Sequence, residues 1–522
     1  MIDQVKRVVI VGGGSAGWLT AGIIAAEHAA ASDQGLEVIL VEAPDIKPIG
    51  VGEGTWPSMR ATLERMGISE TEFIGQCDVS FKQGSRFNGW IRGGDAPADH
   101  YYHPFTLPTG YPEVNLAVPW QQVRDQVSYA EAVCPQVAVC NGNLAPKTIS
   151  TPEYAFALNY GYHLNAGKFA DFLRRHCTQT LGVTHIKAHV SGVRSADNGD
   201  ISALLIDQGE PIVGDLFVDC TGLAARLLGE HYGIGYVSKR GVLFNDTALA
   251  VQVDYPQPDA PIVSHTLSTA QRAGWVWDIG LPTRRGVGYV YSSAHSTDES
   301  AEAAVRAYLA PTIGKDAERV ELRKLSFNPG HRREFWHRNC VAVGLSAGFL
   351  EPLEATALVL VELSATMIAE QLPSNRQVMD VVAGRFNRRF LYHWERIIDF
   401  LKLHYVLSER RDSDYWRDNL DASSVPDTLA EQLLLWRHDY PWRQDTVHAE
   451  EMFPSASFAY VLYGMGFSTA PFPHRRRRDQ KACARAGELF RQTRADAQKL
   501  SGCLPSNRAL LKKINAYGLQ TI

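Results

Sequence analysis

The chain has 522 residues, of which 45% are hydrophobic and 21% are charged, the proportions of an ordinary globular protein with a substantial core rather than a disordered chain. Its formal net charge of −5 gives no general basic field of the kind that holds nucleic acid or an anionic membrane. We therefore expect a small, neutral or weakly charged partner, with no nucleic acid and no membrane.

The chain begins with a pattern typical of a β-α-β unit. Residues 8–11 form a continuous β-branched run, as in a parallel strand that is buried on both faces. A glycine cluster, a helical segment at residues 18–29 and a second apolar strand at residues 36–41 follow in that order. This order predicts an α/β fold with a Rossmann-like module.

The middle of the chain mixes strand, helix and loop patterns. Residues 95–150 are rich in Pro, Gly, Asn and aromatic residues without strong periodicity, which indicates a long irregular insert. The patterns also predict helices at residues 169–177 and 300–312, a short β meander within 183–218, and strands of an antiparallel sheet within 241–295.

After a strand at Val341, the apolar residues follow helical spacing almost to the C-terminus. This spacing predicts a mostly helical C-terminal lobe. We find no internal repeat and no low-complexity tract.

The eight cysteines form no CxxC pair and show no metal-ligand spacing with histidine. The sequence therefore predicts no metal site and no dense disulfide framework. The first residues run directly into a strand pattern without the apolar segment of a secretory signal, and no apolar run reaches the length of a membrane span. These features predict a cytoplasmic protein with reduced thiols.

A glycine motif stands between the first strand and the first helix. Residues 12–17 match GxGxxG, and Glu42 closes the second strand 25 residues beyond Gly17. In such motifs the glycines allow a close approach of the pyrophosphate, the helix N-terminal amides bind that anion, and the acid accepts from a ribose hydroxyl. The alternative is a purely structural glycine turn. The predicted dinucleotide-binding residues are Gly12, Gly14, Ser15, Ala16, Gly17 and Glu42.

Two further segments favour FAD over NAD. Residues 215–222 resemble the strand-to-turn element behind the nucleotide in two-dinucleotide flavoproteins, although a plain core strand is the alternative. The glycine cluster at residues 50–57 allows backbone to pass close to a flavin ring, because glycine adds no side chain; the alternative is a flexible surface loop. Residues 344–357 end a strand with a carboxylate and backbone amides directed to one place. The cofactor set therefore also includes Gly50, Val51, Gly52, Glu53 and Leu345.

Six motifs together carry a family resemblance. They are Gly12 to Gly17, Gly50 to Pro57, Phe81-Lys82 with Trp90, His103-Pro104-Phe105, Trp275-Val276-Trp277-Asp278-Ile279, and Pro352-Leu353-Glu354-Ala355-Thr356. Their order and spacing, over about residues 8 to 365, resemble the flavin-dependent (tryptophan-type) halogenases. The resemblance implies a two-component enzyme that receives FADH2 from a separate flavin reductase, forms hypohalous acid and transfers the halogen to an electron-rich aromatic substrate, with an indole as first choice.

The resemblance also implies roles for two residues that are far apart in the sequence. Lys82 corresponds to the lysine that hydrogen-bonds hypohalous acid or is converted to a haloamine, and so delivers the halogen. Glu354 corresponds to the carboxylate that stabilises the cationic ring intermediate and accepts the displaced proton. From the residues alone, the default interpretation of Lys82 is a surface lysine, and that of Glu354 is a charge that complements a helix dipole.

The remaining motif residues have implied roles in halide and substrate binding. The backbone amides of Thr356 and Ala357 correspond to the halide site, at the N-terminus of a helix. Because the family more often has Ser and Gly where this chain has Ala355 and Ala357, chloride and bromide both remain open, with bromide the first choice. The resemblance implies that Trp275 and Trp277 form an aromatic wall between flavin and substrate. It also implies that His103 and Phe105 face the substrate.

Two departures from the family pattern bear on the substrate. Gly280 stands where the family has proline, which predicts a looser loop after the tryptophan strand. The amino-acid recognition elements of free-tryptophan halogenases have no clear match here, and residues 458–466 are apolar. Free tryptophan is therefore not the first choice of substrate.

We thus predict a two-dinucleotide-type FAD-binding module with an inserted antiparallel sheet and loops at residues 1–375, and a helical substrate-binding lobe at residues 376–522. Two alternatives to a halogenase remain open, namely a flavin-dependent aromatic hydroxylase and an FAD-binding protein without catalytic activity. The sequence does not fix the oligomeric state, and a homodimer is one of the alternatives.

Overall fold

The structure, a computed structural model, describes residues 4–32, 35–45, 52–94, 99–445, 448, 451–470 and 476–521. Its strands are β1 (Arg7–Val11), β2 (Glu37–Glu42), β3 (Glu53–Gly54), β4 (Ser80–Lys82), β5 (Gly84–Asn88), β6 (His100–Pro104), β7 (Gly161–Leu164), β8 (Thr184–Lys187), β9 (Val190–Ser195), β10 (Ile201–Ile206), β11 (Ile212–Val213), β12 (Leu216–Asp219), β13 (Tyr236–Ser238), β14 (Thr247–Asp254), β15 (Thr266–Gln271), β16 (Gly274–Gly280), β17 (Arg284–Tyr291), β18 (Arg323–Ser326), β19 (Gly330–Arg332), β20 (Trp336–His337), β21 (Cys340–Ala342) and β22 (Gly348–Phe349).

The helices are α1 (Ser15–Glu27), α2 (Ser58–Arg65), α3 (Glu70–Gln76), α4 (Ala117–Gln121), α5 (Tyr129–Val133), α6 (Gln136–Asn141), α7 (Ala166–Gln179), α8 (Asp298–Ile313), α9 (Thr356–Glu370), α10 (Arg376–Val406), α11 (Asp414–Asp418), α12 (Asp427–Trp436), α13 (Ser455–Gly464), α14 (Arg477–Cys503) and α15 (Asn507–Tyr517). Within the described residues, every helix is too short or too polar to span a bilayer.

The contacts divide the chain into two compact units. The first contains Met1–Val79, Leu164–Lys239 and Asn328–Trp394, and the second contains Ser80–His163, Arg240–Phe327 and Glu395–Ile522. The chain therefore passes between the units several times. A domain boundary between residues 375 and 376 remains a proposal.

The first unit is built on a six-stranded sheet in the order β20-β21-β12-β1-β2-β8. β1 pairs in parallel with β2 on one side and with β12 on the other. Its residues 8–11 are buried, which explains the continuous apolar run because both faces of the sheet are covered. α1 packs against α7 and α9. This arrangement confirms the predicted Rossmann-like module.

The strands expected to form one meander within residues 183–218 take part in two different sheets. β8 and β12 join the parallel sheet, whereas β9, β10 and β11 form a separate antiparallel sheet. The sequence pattern found the strands but not their partners, since pairing depends on contacts with β2 and β21 that are distant in the chain.

The second unit contains a seven-stranded sheet in the order β18-β14-β17-β16-β15-β5-β6. Its pairs are antiparallel except for the parallel pair of β15 with β5. α8 packs against β14 and β17, and apolar side chains fill the core between the helix and the sheet, including Val251, Val276, Val287, Val305 and Leu309. The sheet confirms the antiparallel insert predicted for residues 241–295.

The described part of the insert at residues 95–150 is more regular than expected. It contains β6 and the short helices α4, α5 and α6, whose apolar residues join a buried cluster with α13 and α14. Helices of five or six residues show too few turns for their periodicity to be visible in the sequence.

Candidate active site

The turn between β1 and α1 requires glycine at two positions. Gly12 has a φ of 116°, and a Cβ atom there would lie 2.2 Å from the carbonyl oxygen of Cys220. A Cβ atom on Gly17 would lie 1.8 Å from the carbonyl oxygen of Gly12. The motif glycines therefore let three backbone segments approach closely.

Space remains in front of the α1 N-terminus. A Cβ atom on Gly14 would meet no atom within 4 Å, and no described side chain caps the helix. The amides of Ser15 and Ala16 at this terminus therefore face an open cradle that suits an anion. The residues present fit the pyrophosphate of a dinucleotide.

Glu42 lies directly beside this cradle. A Cβ atom on Gly13 would lie 2.5 Å from Glu42 Oε1, and Glu42 Oε2 lies 2.9 Å from Nε2 of His185. Burial lowers the pKa of His185, so its ring is neutral at pH 7 and is able to donate its N–H to the carboxylate. This contact fixes the orientation of the Glu42 carboxylate beside the cradle.

A buried carboxylate organises the turn that follows β12. Asp219 accepts from the backbone N–H groups of Leu227 and Leu228 at 2.8 Å, from the Thr221 hydroxyl at 2.6 Å, and from the Ser346 hydroxyl at 3.1 Å. One side chain thus joins the segment 219–228 to the turn at residues 344–346. This turn contains Leu345, which was predicted to bind the cofactor.

The glycine cluster at residues 50–57, called the strap below, is described only from residue 52 onward. Gly50 and Val51, both predicted to bind the cofactor, lie outside the described residues. Gly52 has a φ of 146°, a conformation that favours glycine. Burial raises the pKa of the neighbouring Glu53 carboxyl to about 7, so its charge changes near neutral pH.

Glu354 has an unusual backbone conformation. It and Ala355 have φ values of 65° and 55°, a left-handed conformation that costs about 1 to 3 kcal/mol for each non-glycine residue. Only 5% of the Glu354 surface is exposed, and its carbonyl oxygen accepts from the indole N–H of Trp56 at 2.7 Å. The strap and this strained turn therefore hold one another.

The strained turn leads directly into α9. Thr356 is the first residue of this helix, its N-cap is Ala355, and no described side chain caps it. The amides of Thr356 and Ala357 lie in the first turn of this helix of 15 residues, whose N-terminal dipole favours an anion.

A second carboxylate anchors α2 to α9. Glu362 is buried and accepts from the hydroxyl of Thr62 at 2.6 Å and from that of Ser58 at 3.2 Å. Burial raises its pKa to about 7, although these hydrogen bonds oppose the shift. α2 begins two residues after Trp56, so the anchor also fixes the strap.

In the second unit, Lys82 ends β4 and exposes only 1% of its surface. Its Nζ atom lies 5.2 Å from the centre of the Phe105 ring. In the pairing of β4 with β7, His163 stands opposite Ser80, so His163 and Lys82 point to the same face. Burial and the Lys82 charge lower the pKa of His163 well below its usual range. The lysine is therefore not a surface residue.

His103 lies on β6 in an aromatic environment. Its Nε2 atom lies 2.9 Å from the Ser457 hydroxyl on α13. The ring centres of Phe400, Phe453 and Tyr460 lie 5.5 to 6.5 Å from that of His103. The C-terminal helices thus supply the partners of this residue.

Trp275 and Trp277 point to the same face of β16, with ring centres 6.4 Å apart. Trp277 covers Gly288 on β17, where a Cβ atom would lie 2.1 Å from the indole. The loop expected to be loose is instead a tight hairpin, since the Leu281 N–H donates to the Arg284 carbonyl at 2.8 Å. The sheet pairing makes the missing proline unnecessary.

A sequence model of the family described as tryptophan halogenase matches residues 7–480. The chain belongs to this family. It is accordingly a flavin-dependent halogenase, as the motifs predicted, and membership does not favour the aromatic hydroxylase alternative.

Several members of this family align with this chain over nearly its whole length. The tryptophan 6-halogenase SttH of Streptomyces toxytricini is 31% identical over 96% of each protein. The crystal structure of the tryptophan halogenase from Shewanella frigidimarina has 50% identity and a TM-score of 0.96, and the match covers 100% of this chain and 99% of that one. BrvH, a flavin-dependent halogenase from Brevundimonas sp. BAL3, has 30% identity, a TM-score of 0.84 and coverage of 98% and 99%.

Several residues that hold the predicted site residues or their neighbouring helices were not identified from the sequence. His185, Glu362 and Ser457 each hold a motif residue or its neighbouring helix through one side chain. None of them belongs to a motif with regular spacing. Asp219 lies within residues 215–222. An acid that ends an apolar strand is the signal by which it could have been identified.

Proposed function

We propose that this halogenase transfers halogen from hypohalous acid to an indole through Lys82, with Glu354 as the proton acceptor. The observation that carries the proposal is the burial of the Lys82 ammonium beside the Phe105 ring. A buried ammonium in an aromatic environment suits an oxidant that must be held away from water.

The residues that would hold the flavin dinucleotide are those of the β1–α1 turn, with Glu42 for a ribose hydroxyl. The strap residues, including Gly52 and Glu53, and Leu345 complete the proposed set. When it is bound, the reduced flavin supplies, with O2, the two-electron oxidation of halide. The chain's own contribution is to orient the cofactor, bind the halide and guide the oxidant.

The proposed halide site consists of the backbone N–H groups of Thr356 and Ala357. Both belong to the first turn of α9, whose dipole favours an anion. The strained backbone at Glu354 and Ala355 directs this helix end, and Trp56 supports it through the Glu354 carbonyl. Bromide is the first choice and chloride the second.

The transfer step is an electrophilic substitution in which HOX and Ar–H give Ar–X and water. The carbon–halogen bond forms as the O–X bond breaks and releases hydroxide. The C–H proton then leaves the cationic ring and passes through Glu354 to the hydroxide, which leaves as water. Lys82 donates a hydrogen bond to the oxygen of HOX, which makes the halogen more electrophilic. The Glu354 carboxylate stabilises the ring cation and accepts its proton.

The substrate class follows from the relatives and from the aromatic residues. The relatives are named as tryptophan halogenases, and tryptophan reacts through its indole ring. Trp275 and Trp277 are the proposed wall between flavin and substrate, and His103 and Phe105 are the proposed substrate contacts. The proposal includes a separate flavin reductase and a cytoplasmic setting in which NADH is available. It is compatible with both a monomer and a homodimer.

The test is reconstitution with FAD, a flavin reductase, NADH, and bromide or chloride, using a panel of indole, tryptophan, phenol and pyrrole. The expected product is indole heavier by Br minus H, detected by mass spectrometry. Lys82→Ala and Glu354→Gln should each retain FAD binding and lose the product.

Unchanged turnover in Lys82→Ala would reject the proposed role of this lysine. Tight FAD binding with no halide-dependent product on any aromatic compound would instead favour the noncatalytic alternative.

A further inference from the structure

The strand that carries Lys82 is short and lies at the edge of its sheet. β4 contains three residues and pairs with β7, with Phe81 opposite Tyr162 and Lys82 opposite Gly161. A three-residue edge strand has few ladder hydrogen bonds to fix its backbone. Something else must therefore hold the position of Lys82.

The C-terminal helix α15 supplies this support through Asn507. Its Nδ2 group donates to the carbonyl oxygen of Phe81 at 3.1 Å, and its Oδ1 atom accepts from the Phe81 N–H at 3.4 Å. A side-chain amide has the donor and acceptor of a peptide group, so Asn507 pairs with Phe81 as a neighbouring strand would. Asn507 is completely buried.

Asn507 is itself held in place by the chain around it. Its backbone N–H donates to the carbonyl oxygen of Asn143 at 2.9 Å, and the N–H of Ala145 donates to the Pro505 carbonyl at 2.8 Å. The Leu144 carbonyl between these contacts accepts from the side chain of Gln83 at 2.7 Å. The residue after Lys82 is thus connected to the same segment that anchors Asn507.

The two hydrogen bonds between Asn507 and Phe81 hold both peptide groups that flank Phe81. One of these peptide groups leads to Lys82. The Phe81 ring is also fixed, edge-on to Tyr160 at 5.1 Å between ring centres. Because successive side chains alternate across a strand, Phe81 is held on one face while Lys82 projects from the other. A rotation of this peptide would move the Lys82 ammonium.

We propose that Asn507 is a positioning residue for halogen transfer: its side-chain amide completes the edge of β4 and fixes the direction of Lys82. This inference rests on the proposed function of Lys82. Asn507 does not touch the reacting atoms, so its loss should leave halide oxidation intact and reduce the share of oxidant that reaches the aromatic ring.

The expected size of the effect follows from positioning. A displacement of about 1 Å in a reacting group lowers rates by roughly 100-fold. We therefore expect Asn507→Ala to lower the rate of halogen transfer by about 10- to 100-fold. Hypohalous acid released to solution should rise correspondingly.

The experiment uses the full-length enzyme with FAD, a flavin reductase, NADH, bromide and indole. Brominated indole and hypobromous acid, captured by a chemical trap, are measured in the same reaction. The variants are Asn507→Ala and Asn507→Asp; the second keeps the side-chain shape and suits the first turn of α15, but it lacks the donor to Phe81. Lys82→Ala is measured alongside them.

The chain provides a matched control in Asn339. This buried side chain makes the same pair of bonds to Ile201 on β10, donating to its carbonyl at 2.8 Å and accepting from its N–H at 2.9 Å. Asn339 also donates to the Asp215 carbonyl at 3.3 Å and accepts from the Tyr232 hydroxyl at 3.2 Å. Asn339→Ala therefore removes the same pair of bonds and two more, all of them in the first unit. Its ratio of brominated indole to trapped hypobromous acid should equal that of the wild type.

A second readout needs no catalysis. Hydrogen–deuterium exchange of the segment 80–84 should be faster in Asn507→Ala, because this variant removes the acceptor of the Phe81 N–H, and it should be unchanged in Asn339→Ala. Faster exchange together with a lower transfer ratio supports the proposal. Unchanged or slower exchange in folded Asn507→Ala, or a wild-type ratio in both folded Asn507 variants, overturns it.

The two proposals fail in different ways. If Lys82→Ala brominates indole normally, the proposed function of the lysine is wrong. If Lys82→Ala loses the product while both Asn507 variants keep the wild-type ratio, only the positioning role of Asn507 is wrong. If Asn507→Ala does not fold, the Asn507→Asp ratio decides the matter.

Discussion

Glu362 makes the stability of the first unit depend on pH. The side chain is buried on α9, its pKa is raised to about 7 by burial, and it accepts hydrogen bonds from Ser58 and Thr62 on α2. Replacing it by glutamine keeps its shape and an acceptor oxygen but removes the ionisation. We expect Glu362→Gln to abolish one component of the pH dependence of unfolding.

The sign and size of this component follow from linkage. The Glu362 pKa is about 7 in the folded protein, against an ordinary value of 4.5 for the unfolded chain. Between these values the folded protein binds a proton that the unfolded chain has lost, so stability falls as the pH rises. A difference of about 2.5 pKa units corresponds to about 3 kcal/mol, present below pH 4.5 and lost by about pH 7.

The assay is urea unfolding of the wild type and Glu362→Gln, measured side by side between pH 4.5 and 8. The difference in unfolding free energy should move in favour of the variant by about 3 kcal/mol up to pH 7 and then stay constant. Taking the difference removes the contribution of Glu53, whose pKa is also raised to about 7. Parallel curves for the two proteins would refute the reasoning.

Three other substitutions have defined expected outcomes. Gly13→Ala would bring a Cβ atom within 2.5 Å of Glu42 Oε1. We expect at least a tenfold loss of FAD affinity, on the order of 1.4 kcal/mol, in a fluorescence titration. Unchanged affinity would contradict the proposal that FAD binds at this turn. Gly288→Ala would place a Cβ atom 2.1 Å from the Trp277 indole, and urea unfolding should show a loss of about 1 to 3 kcal/mol, whereas wild-type stability would show that the indole moves freely. Ala355→Gly should gain about 1 kcal/mol by relieving a φ of 55°, and a loss of stability in the same assay would argue against strain.

The sequence predicted the parts of the fold that depend on local pattern. The β-branched run at residues 8–11 and the glycines after it were sufficient for the β1–α1 turn, because close backbone approach leaves few alternatives to glycine. The sequence also indicated the antiparallel sheet within residues 241–295 and the helical C-terminal part. It did not reveal that β8 and β12 belong to the parallel sheet, since register between distant strands leaves no local mark.

In the candidate site, too, the sequence identified residues that lie in local motifs but not the contacts between distant segments. Lys82 and Glu354 were identified because each lies in a motif, whereas the burial of Lys82 and the left-handed backbone of Glu354 became visible only in the structure. Glu362 and Asn507 could not be identified beforehand. Each acts through hydrogen bonds to a segment hundreds of residues away, and no spacing in the sequence encodes such a contact.

The central claim is that Lys82 transfers the halogen and is not simply a buried cation. Lys402 offers a comparison, because it is also buried, its Nζ donates to Asn419 Oδ1 at 2.9 Å, and it lies 4.9 Å from the centre of the Phe244 ring. The deciding measurement is the ratio of brominated indole to trapped hypobromous acid in Lys82→Ala and Lys402→Ala. We expect Lys82→Ala to release hypobromous acid without brominating indole, and Lys402→Ala to keep the wild-type ratio. Equal ratios in the two variants would contradict the account.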